Sequence, residues 1–277
     1  MPNLKEIRSR ITSVGSTMQI TSAMKMVSAA KLKRAQDAIT QMRPYSNKLT
    51  DLLQSLSSSL DGSENNQYSE LREVKKLLIV SITSNRGLCG GFNSYIIKSV
   101  KNIIEMQDNN TDIEILSIGK KSSEHFTKNG YEMFSVMDEI YNDLTFDNIS
   151  QVAESIIQKF LSKEFDKVVL VYNQFKNAAT QIIMNENYLP IQSVTKEKMH
   201  TPDYIFEPNQ NKIVKDLIPK SLKTQLFKAV LDSHAAEHGA RMTAMHKATD
   251  NAAELKKELT LTSVSYTHLT LPTIVGV

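Results

Sequence analysis

The sequence has little of what secreted and membrane-spanning proteins rely on. Cys89 is the one cysteine among 277 residues, which excludes an internal disulfide and suits a reducing compartment. No stretch approaches the ~20 consecutive apolar residues that a bilayer requires, and the N-terminus lacks the hydrophobic block of a signal peptide. We therefore expect a water-soluble protein that stays in the cytoplasm.

Phosphate-binding motifs are missing as well. A glycine-rich stretch, SNRGLCGGFN at 84–93, follows an apolar run and precedes a helical pattern, which is where doubly wound folds hold phosphates. It contains neither Gly-x-Gly-x-x-Gly nor Gly-Lys-Ser/Thr, so neither a dinucleotide site nor a P-loop can be built. A structural turn or a docking loop is favoured over a nucleotide site, and we expect no cofactor.

Two other groups of residues invite a catalytic interpretation. His234, Glu237 and His238 match the His-x-x-Glu-His pattern of inverted zinc proteases. An alanine-rich helix offers no cleft, however, and no acidic third ligand can be singled out, so we favour a helix that happens to carry these residues and expect no metal. Cys89 has no histidine nearer in sequence than His125, so a buried or semi-exposed thiol is favoured over a nucleophile.

Helical periodicity dominates both ends of the chain. Over the first 42 residues, apolar or small side chains recur at alternating steps of four and three, interrupted only by Lys25. The stripe consists of Ile7, Ile11, Val14, Met18, Thr21, Ser28, Leu32, Ala35, Ile39 and Met42. Such a 3.5-residue repeat predicts a supercoiled helix pair, and Pro44 is expected to bend or end the first helix.

The partner stripe lies in the proline-free stretch from 221 to 262. It is richer in alanine and less regular, and it consists of Leu222, Leu226, Phe227, Val230, Leu231, Ala235, Met242, Met245, Ala252, Leu255 and Leu259. Some forty residues at about 1.5 Å each make a rod of about 60 Å, longer than a small domain. Gly15 and Gly239 fall inside the two helices, where either a close approach of another backbone or a bend would account for them.

Between the helices, strand-like and helical patterns alternate. Near-continuous apolar runs predict strands at 77–82, 113–118 and 168–172, with helices at 95–106, 120–128 and 149–161 and an edge strand at 182–184. This alternation predicts a small parallel sheet covered on both faces. The predicted fold class is therefore α/β: a parallel-sheet domain at 75–190 is inserted between an N-terminal helix (1–60) and a C-terminal helix (209–262), which form an antiparallel coiled coil.

The charge distribution supports an alternative function. The first 50 residues carry nine Lys or Arg against two acidic residues, whereas the whole chain has a net charge of +3. A basic coiled coil of this kind could bind nucleic acid. No zinc, basic-zipper or ribonucleoprotein signature accompanies it, and an acidic protein sleeve around the rod would explain the charge equally well.

Three separated motifs strongly resemble the gamma subunit of F-type ATP synthases. They are IRSRI at 7–11 with QITSAMKMVSAAKL at 19–32, NRGLCGGFN at 85–93, and EHGARMTAM at 237–245 with ATDNA at 248–252. The motifs agree with the family in order and spacing, and the resemblance covers residues 1 to about 262. It implies a rotor shaft with an α/β domain at its base.

The resemblance also implies partners and a location. The subunit would be non-catalytic and would lie at the cytoplasmic face of the bacterial plasma membrane. Its shaft would turn inside a ring of alpha and beta subunits, which hold the nucleotides, while its base would contact the epsilon subunit and the membrane c-ring. It would couple ion-driven rotation to ATP synthesis or hydrolysis, and would itself bind neither nucleotide nor nucleic acid.

Two groups of contact residues follow from the same resemblance. The implied contacts with beta subunits are Arg8, Met24, Lys25, Met26, Arg241 and Met242. The implied loop on the epsilon side of the base comprises Arg86, Gly87, Leu88, Cys89, Gly90 and Gly91. We therefore expect the two groups to serve different partners.

The sequence departs from the family after Thr262. Residues 263–277 are rich in β-branched side chains, lack helical periodicity and include Pro272, and 264–273 resembles a translated transposase adapter of sequencing libraries. We predict that this tail is foreign to the native protein, is disordered or extended, and leaves Ile7 and Ile11 exposed. Sequencing the source DNA from a library prepared without transposase tests its origin, and recovery of the same tail would contradict the prediction.

Overall fold

Five strands form one sheet between two very long helices in the computed structural model of this chain. The structure describes residues 4–57, 67–70, 72–108, 110–191 and 210–270. In chain order the elements are α1 (Leu4–Ser57), β1 (Lys76–Ile82), α2 (Phe92–Glu105), β2 (Asp112–Ile118), α3 (Lys120–Lys128), β3 (Met133–Val136), a 3₁₀ helix (Asp138–Asn142), α4 (Phe146–Leu161), β4 (Lys167–Phe175), β5 (Gln181–Leu189) and α5 (Gln210–Thr270). The predicted α/β class is confirmed.

The sheet is mixed, with the strand order β3-β2-β1-β4-β5. Four strands are parallel, whereas β5 runs antiparallel to β4. The expectation of a purely parallel sheet is therefore corrected: a connection as short as 176–180 can join only antiparallel neighbours. Sequence analysis also missed β3, because four residues are too few to show a period.

Helices cover both faces of the sheet. Alternate residues of β1 point to opposite sides: Leu78 and Val80 pack in the cluster that includes α4 and α5, whereas Leu77 and Ile79 pack with α2. All four side chains are at most 1% exposed. The unbroken apolar run that predicted β1 is thus explained by burial on both faces.

The two terminal helices pack antiparallel along their length. Thr249 Oγ1 donates a hydrogen bond to Thr21 Oγ1 over 2.8 Å, and Lys256 lies beside Gly15. Every residue of the predicted first stripe is buried or partly buried, as is Lys25. The predicted coiled-coil seam is confirmed, although Leu255 of the second stripe lies outside it and is 45% exposed.

The first helix does not end at Pro44. It continues to Ser57, with Ser46 and Leu49 still buried beyond the proline. Proline removes one backbone hydrogen bond and normally breaks a helix interior. Continued packing on one side of α1 offsets that loss.

The second helix passes Thr262 and reaches Thr270. Ile7 is only 3% exposed and Ile11 is partly buried, so the expectation of a bare N-terminal end of α1 is wrong. The expectation of a non-helical tail is wrong for residues 263–270, whereas 271–277 lie outside the described residues. A β-branched residue costs well under ~1 kcal/mol in a helix, and a partner helix in register supports the added turns. The foreign origin of the tail stays a prediction. No helix in the described ranges is both long and apolar enough to cross a membrane.

The two helical glycines differ in their surroundings, which generates a prediction. A Cβ at Gly239 would lie 3.2 Å from Ala178 Cα and 3.3 Å from Ala178 O, whereas a Cβ at Gly15 would meet only the flexible Lys256 side chain at 3.6 Å. We expect Gly15→Ala to raise the free energy of unfolding by up to about 1 kcal/mol. Gly239→Ala should lower it, because the new methyl displaces the β4–β5 turn.

Urea unfolding of the purified variants measures both free energies. Gly15→Ala is the matched control, since it has the same gain in helix propensity without the close approach. Equal stabilisation by the two substitutions would show that the contact at Gly239 carries no strain.

Candidate functional site

Nine buried apolar residues join the coiled coil to the sheet domain. They come from α1, from α5 and from the edge of the sheet domain where β1 and β4 end: Leu32, Ala35, Ile39, Leu231, Ala235, Ala236, Cys89, Phe92 and Phe175. We call this cluster the junction. Parts of the chain far apart in sequence meet there, and the polar groups around it are the candidate functional residues.

The glycine-rich turn after β1 forms one side of the junction. Asn93 Oδ1 accepts a hydrogen bond from Ser84 N over 3.0 Å, and Ser84 Oγ donates to Arg86 O over 2.7 Å. Leu88 and Gly90 have φ of +62° and +60°, and the Leu88 side chain is 64% exposed. The turn is therefore tightly held at its base and presents an apolar side chain at its tip, as a docking loop would.

Cys89 points inward from this turn. Its thiol is 2% exposed, and Asn93 Nδ2 donates to Sγ over 3.2 Å. Burial raises the pKa of the Cys89 thiol, so the sulfur stays protonated at neutral pH and is a poor nucleophile. The prediction of a buried thiol is confirmed.

Arg241 of α5 binds the backbone of the same turn. Its Nη2 donates to Arg86 O over 2.8 Å and to Gly87 O over 3.3 Å, and its Nη1 pairs with Glu237 Oε1 over 2.6 Å. The Arg241 and Glu237 side chains are 10% and 9% exposed. The structure thus brings together two groups of residues that the sequence assigned to different partners.

His234 and His238 form a contact of their own beside Arg241. Their Nε2 atoms are 3.1 Å apart, and His238 Nδ1 lies 3.4 Å from Arg241 Nη1. Since a guanidinium only donates, His238 Nδ1 accepts, which leaves a proton on His238 Nε2 to donate to His234. A permanent cation so close also opposes a metal ion, and across the described residues no three His, Cys, Asp or Glu side chains group as metal ligands would.

These groups lie at the edge of the sheet where open α/β folds bind ligands. Strand order reverses between β1 and β4, and ligands bind outside the carboxyl ends of the strands at such a point. Here Arg241 bonds to the turn that follows β1, while Asn173 of β4 donates to Phe92 O over 3.1 Å. The chain therefore uses its own helix to fill the position that a ligand takes in other proteins of this fold class.

The other predicted contact residues lie on the rod itself. Met26 is 64% exposed and Arg8 is exposed, whereas Met24, Lys25 and Met242 are partly buried. Lys25 faces the seam, so its charge is less available to a partner than the sequence suggested. Nothing in the structure tests contact of these residues with a beta subunit, which stays a prediction.

Two more apolar residues near Met26 are exposed: Ile20 is 59% exposed and Val27 is 58% exposed. Val27 directly follows the implied contact Met26, whereas Ile20 was not singled out from the sequence, although it is apolar and lies outside the heptad stripe that the second helix covers. Ile20 and Val27 are seven residues apart and share one side of α1, with Met26 about 100° around the helix from them. Exposed apolar side chains in one region mark interaction surfaces, and we call Ile20, Met26 and Val27 the rod patch.

Comparison with known proteins places the chain among rotary ATP synthase components. The family model described as ATP synthase matches residues 3–264. The chain is 60% identical to the ATP synthase gamma chain of Christiangramia forsetii, over 94% of this chain and 91% of that one, and 57% identical to that of Flavobacterium johnsoniae, over 95% and 91%.

Solved structures agree in fold. The central stalk and c-ring structure of the Tetrahymena thermophila mitochondrial ATP synthase contains a chain with a TM-score of 0.65 and 26% identity, covering 83% of this chain and 99% of that one. The rotor of the Euglena gracilis mitochondrial ATP synthase gives a TM-score of 0.66 at 21% identity, covering 96% and 97%.

The histidine pair generates a prediction about pH. Burial, with Lys31 and Arg241 nearby, lowers the pKa of His234 from 6.5 to about 4. Burial, with His234 and Arg241 as its nearest charges, lowers the pKa of His238 from 6.5 to about 3. Above pH 6.5 both are neutral in either state; below it the unfolded chain binds protons that the folded chain cannot. We therefore expect their contribution to stability to be lost progressively as the pH falls from 6.5 toward 4.

Urea unfolding between pH 7.5 and 5 measures this loss. His238→Asn should reduce the proton uptake on unfolding by up to one proton, which makes the unfolding free energy depend less on pH. An amide oxygen can still accept from Arg241 but does not titrate. The exposed His246→Asn is the control and should follow the wild-type curve. Parallel curves for wild type and His238→Asn would contradict the prediction.

Proposed function

The chain belongs to the ATP synthase gamma-chain family, and from that premise we propose how its parts act. Its role is that of the central rotor shaft of a rotary ATP synthase. The observation that carries this role in the structure is the antiparallel pair α1 and α5, which extends beyond the sheet domain as a rod. From Leu4 to the start of the junction at Leu32 the rod is about 40 Å long.

The rod acts by contact and performs no chemistry of its own. A shaft with unlike faces stabilises different conformations of the surrounding subunits as it turns, which couples rotation to nucleotide binding and release elsewhere. The rod patch exposes apolar side chains near exposed polar ones such as Gln19 and Lys31, so the sides of the rod differ from one another. The subunit is therefore non-catalytic in this proposal and binds neither nucleotide nor metal.

The proposed partners follow the family. Alpha and beta subunits surround the rod, with beta subunits contacting Met24, Met26 and Met242, while the epsilon subunit and c-ring contact the base. Arg241 acts on these contacts through the turn at Arg86 and Gly87, because its own side chain is buried. The complex holds this subunit peripherally at the cytoplasmic face of the membrane.

The nucleic-acid alternative receives no support from the comparisons. The excess of basic residues on α1 fits an acidic protein sleeve around the rod equally well. Purification of the tagged chain from source membranes separates the two functions: the rotor function predicts that alpha and beta subunits accompany it. Recovery of nucleic acid that is lost as salt is raised would instead favour the alternative.

A single substitution on the rod patch tests the contact. Met26→Lys should lower the number of protons pumped per ATP hydrolysed while leaving assembly intact, because an unpaired charge at a moving apolar contact costs several kcal/mol. Proton pumping and ATP hydrolysis are measured together in the reconstituted complex. Wild type provides the reference ratio.

Met106→Lys is the matched control. Met106 is 81% exposed and follows α2 on the sheet domain, so the same change in charge and volume occurs away from the rod. Its coupling ratio should equal that of wild type. An unchanged ratio in Met26→Lys, or an equal loss in both variants, would remove the rod patch from the mechanism.

A further inference from the structure

Two arginines at the junction make hydrogen bonds between the coiled coil and the sheet domain. Arg241 donates hydrogen bonds to the backbone of the turn after β1. Arg43, on α1, makes the second contact. Asp232, which pairs with Arg43, and Arg241 both lie on α5, nine residues or about 14 Å apart along the helix.

The Arg43 contact joins three elements through one nitrogen. Arg43 Nη2 donates to Phe175 O at the end of β4 over 3.1 Å and to Asp232 Oδ1 of α5 over 3.1 Å. The Asp232 side chain is fully buried, although Arg43 itself is 43% exposed. Removal of Arg43 alone would leave a buried carboxylate without its counter-ion.

Helix α5 is tied to the sheet domain by several polar contacts besides Arg241. Tyr188 Oη donates to Leu222 O over 3.0 Å, Gln225 Nε2 donates to Glu186 Oε1 over 2.7 Å, and Thr243 Oγ1 donates to Ala178 O over 3.0 Å. Helix α1, by contrast, enters the junction through the apolar side chains Leu32, Ala35 and Ile39. Apolar attraction is roughly proportional to buried area and has no preferred direction, whereas hydrogen bonds weaken steeply away from linear geometry. Arg43 therefore gives α1 a directional contact with α5 and β4.

Arg43 also lies at the weakest point of α1. The next residue, Pro44, cannot donate a helical hydrogen bond. Twist applied to the domain would concentrate at such a point unless it is held from outside. The bonds from Arg43 to β4 and α5 hold the helix there.

We propose that Arg43 and Asp232 form a torque clamp that fixes the angle of α1 against α5 and the sheet domain. Arg43 is a positioning residue in this proposal: it touches no nucleotide, and it transmits twist between the base and the shaft. The proposal rests on the rotor function. Its test uses the chain itself, so failure of the clamp would leave the rotor function untouched.

The test separates angular stiffness from stability. Arg43→Met combined with Asp232→Leu replaces the pair by apolar side chains, with leucine matching the branched shape of aspartate, and such replacements commonly retain stability. Spin labels on Thr17→Cys of α1 and Lys98→Cys of α2, both exposed positions, report the distance distribution between rod and domain in the full chain. With the directional contact of α1 lost, we expect the distribution of that distance to be broader than in wild type, since a less stiff connection allows larger thermal displacements.

Two further variants make the outcome decisive. Arg43→Met alone should lower the melting temperature, and adding Asp232→Leu should recover it while the distribution stays broad. Arg10→Gln with Glu6→Gln removes an exposed pair within α1 and should leave the distribution unchanged. A double variant with the melting temperature and the distance distribution of wild type would overturn the proposal, as would equal broadening in the Arg10 control.

Discussion

Antiparallel packing of α1 against α5 is the constraint that places every functional group in this chain. With Thr21 opposite Thr249, the middle of α1 necessarily meets the part of α5 that carries His234, Glu237 and Arg241. The sheet domain is then held where its own buried residues join that seam. A shift of one helical turn between α1 and α5 would separate Arg43 from Asp232.

The sheet domain shows how a ligand-binding architecture can serve as a mechanical part. It retains parallel strands, a reversal of strand order and a glycine-rich turn after β1, all of which hold ligands in other α/β proteins. Here the turn accepts hydrogen bonds from Arg241 in place of a ligand. Because Arg241 belongs to the same polypeptide as the turn, this contact is always available and does not depend on the concentration of a ligand.

Polar and apolar contacts have different effects at the junction. Apolar packing supplies most of the attraction between rod and domain, because burial of such surface is the largest favourable term in folding. The buried charges of Asp232 and Glu237 are costly and contribute less to stability than their number suggests. Burial raises the pKa of both carboxyl groups, and their arginine partners oppose that shift. These pairs fix the relative orientation of the groups they join more than they add to the stability of the fold.

The sequence by itself determined the elements with a regular period. The 3.5-residue stripe identified the coiled coil, and apolar runs located β1, β2 and β4, since periodicity is a local property that neighbouring residues carry together. Three motifs then sufficed for the family. By contrast, β3 depended on neighbours that no local pattern shows.

The tertiary structure alone decided which polar groups meet. Arg43 and Asp232 are 189 residues apart, and Arg241 is 154 residues from Gly87. Nothing in the spacing of either pair signals a contact, because each depends on the register of two long helices and on where the sheet docks against them. Long-range polar contacts are the product of that docking, and so the residues that join shaft to base became visible only in three dimensions.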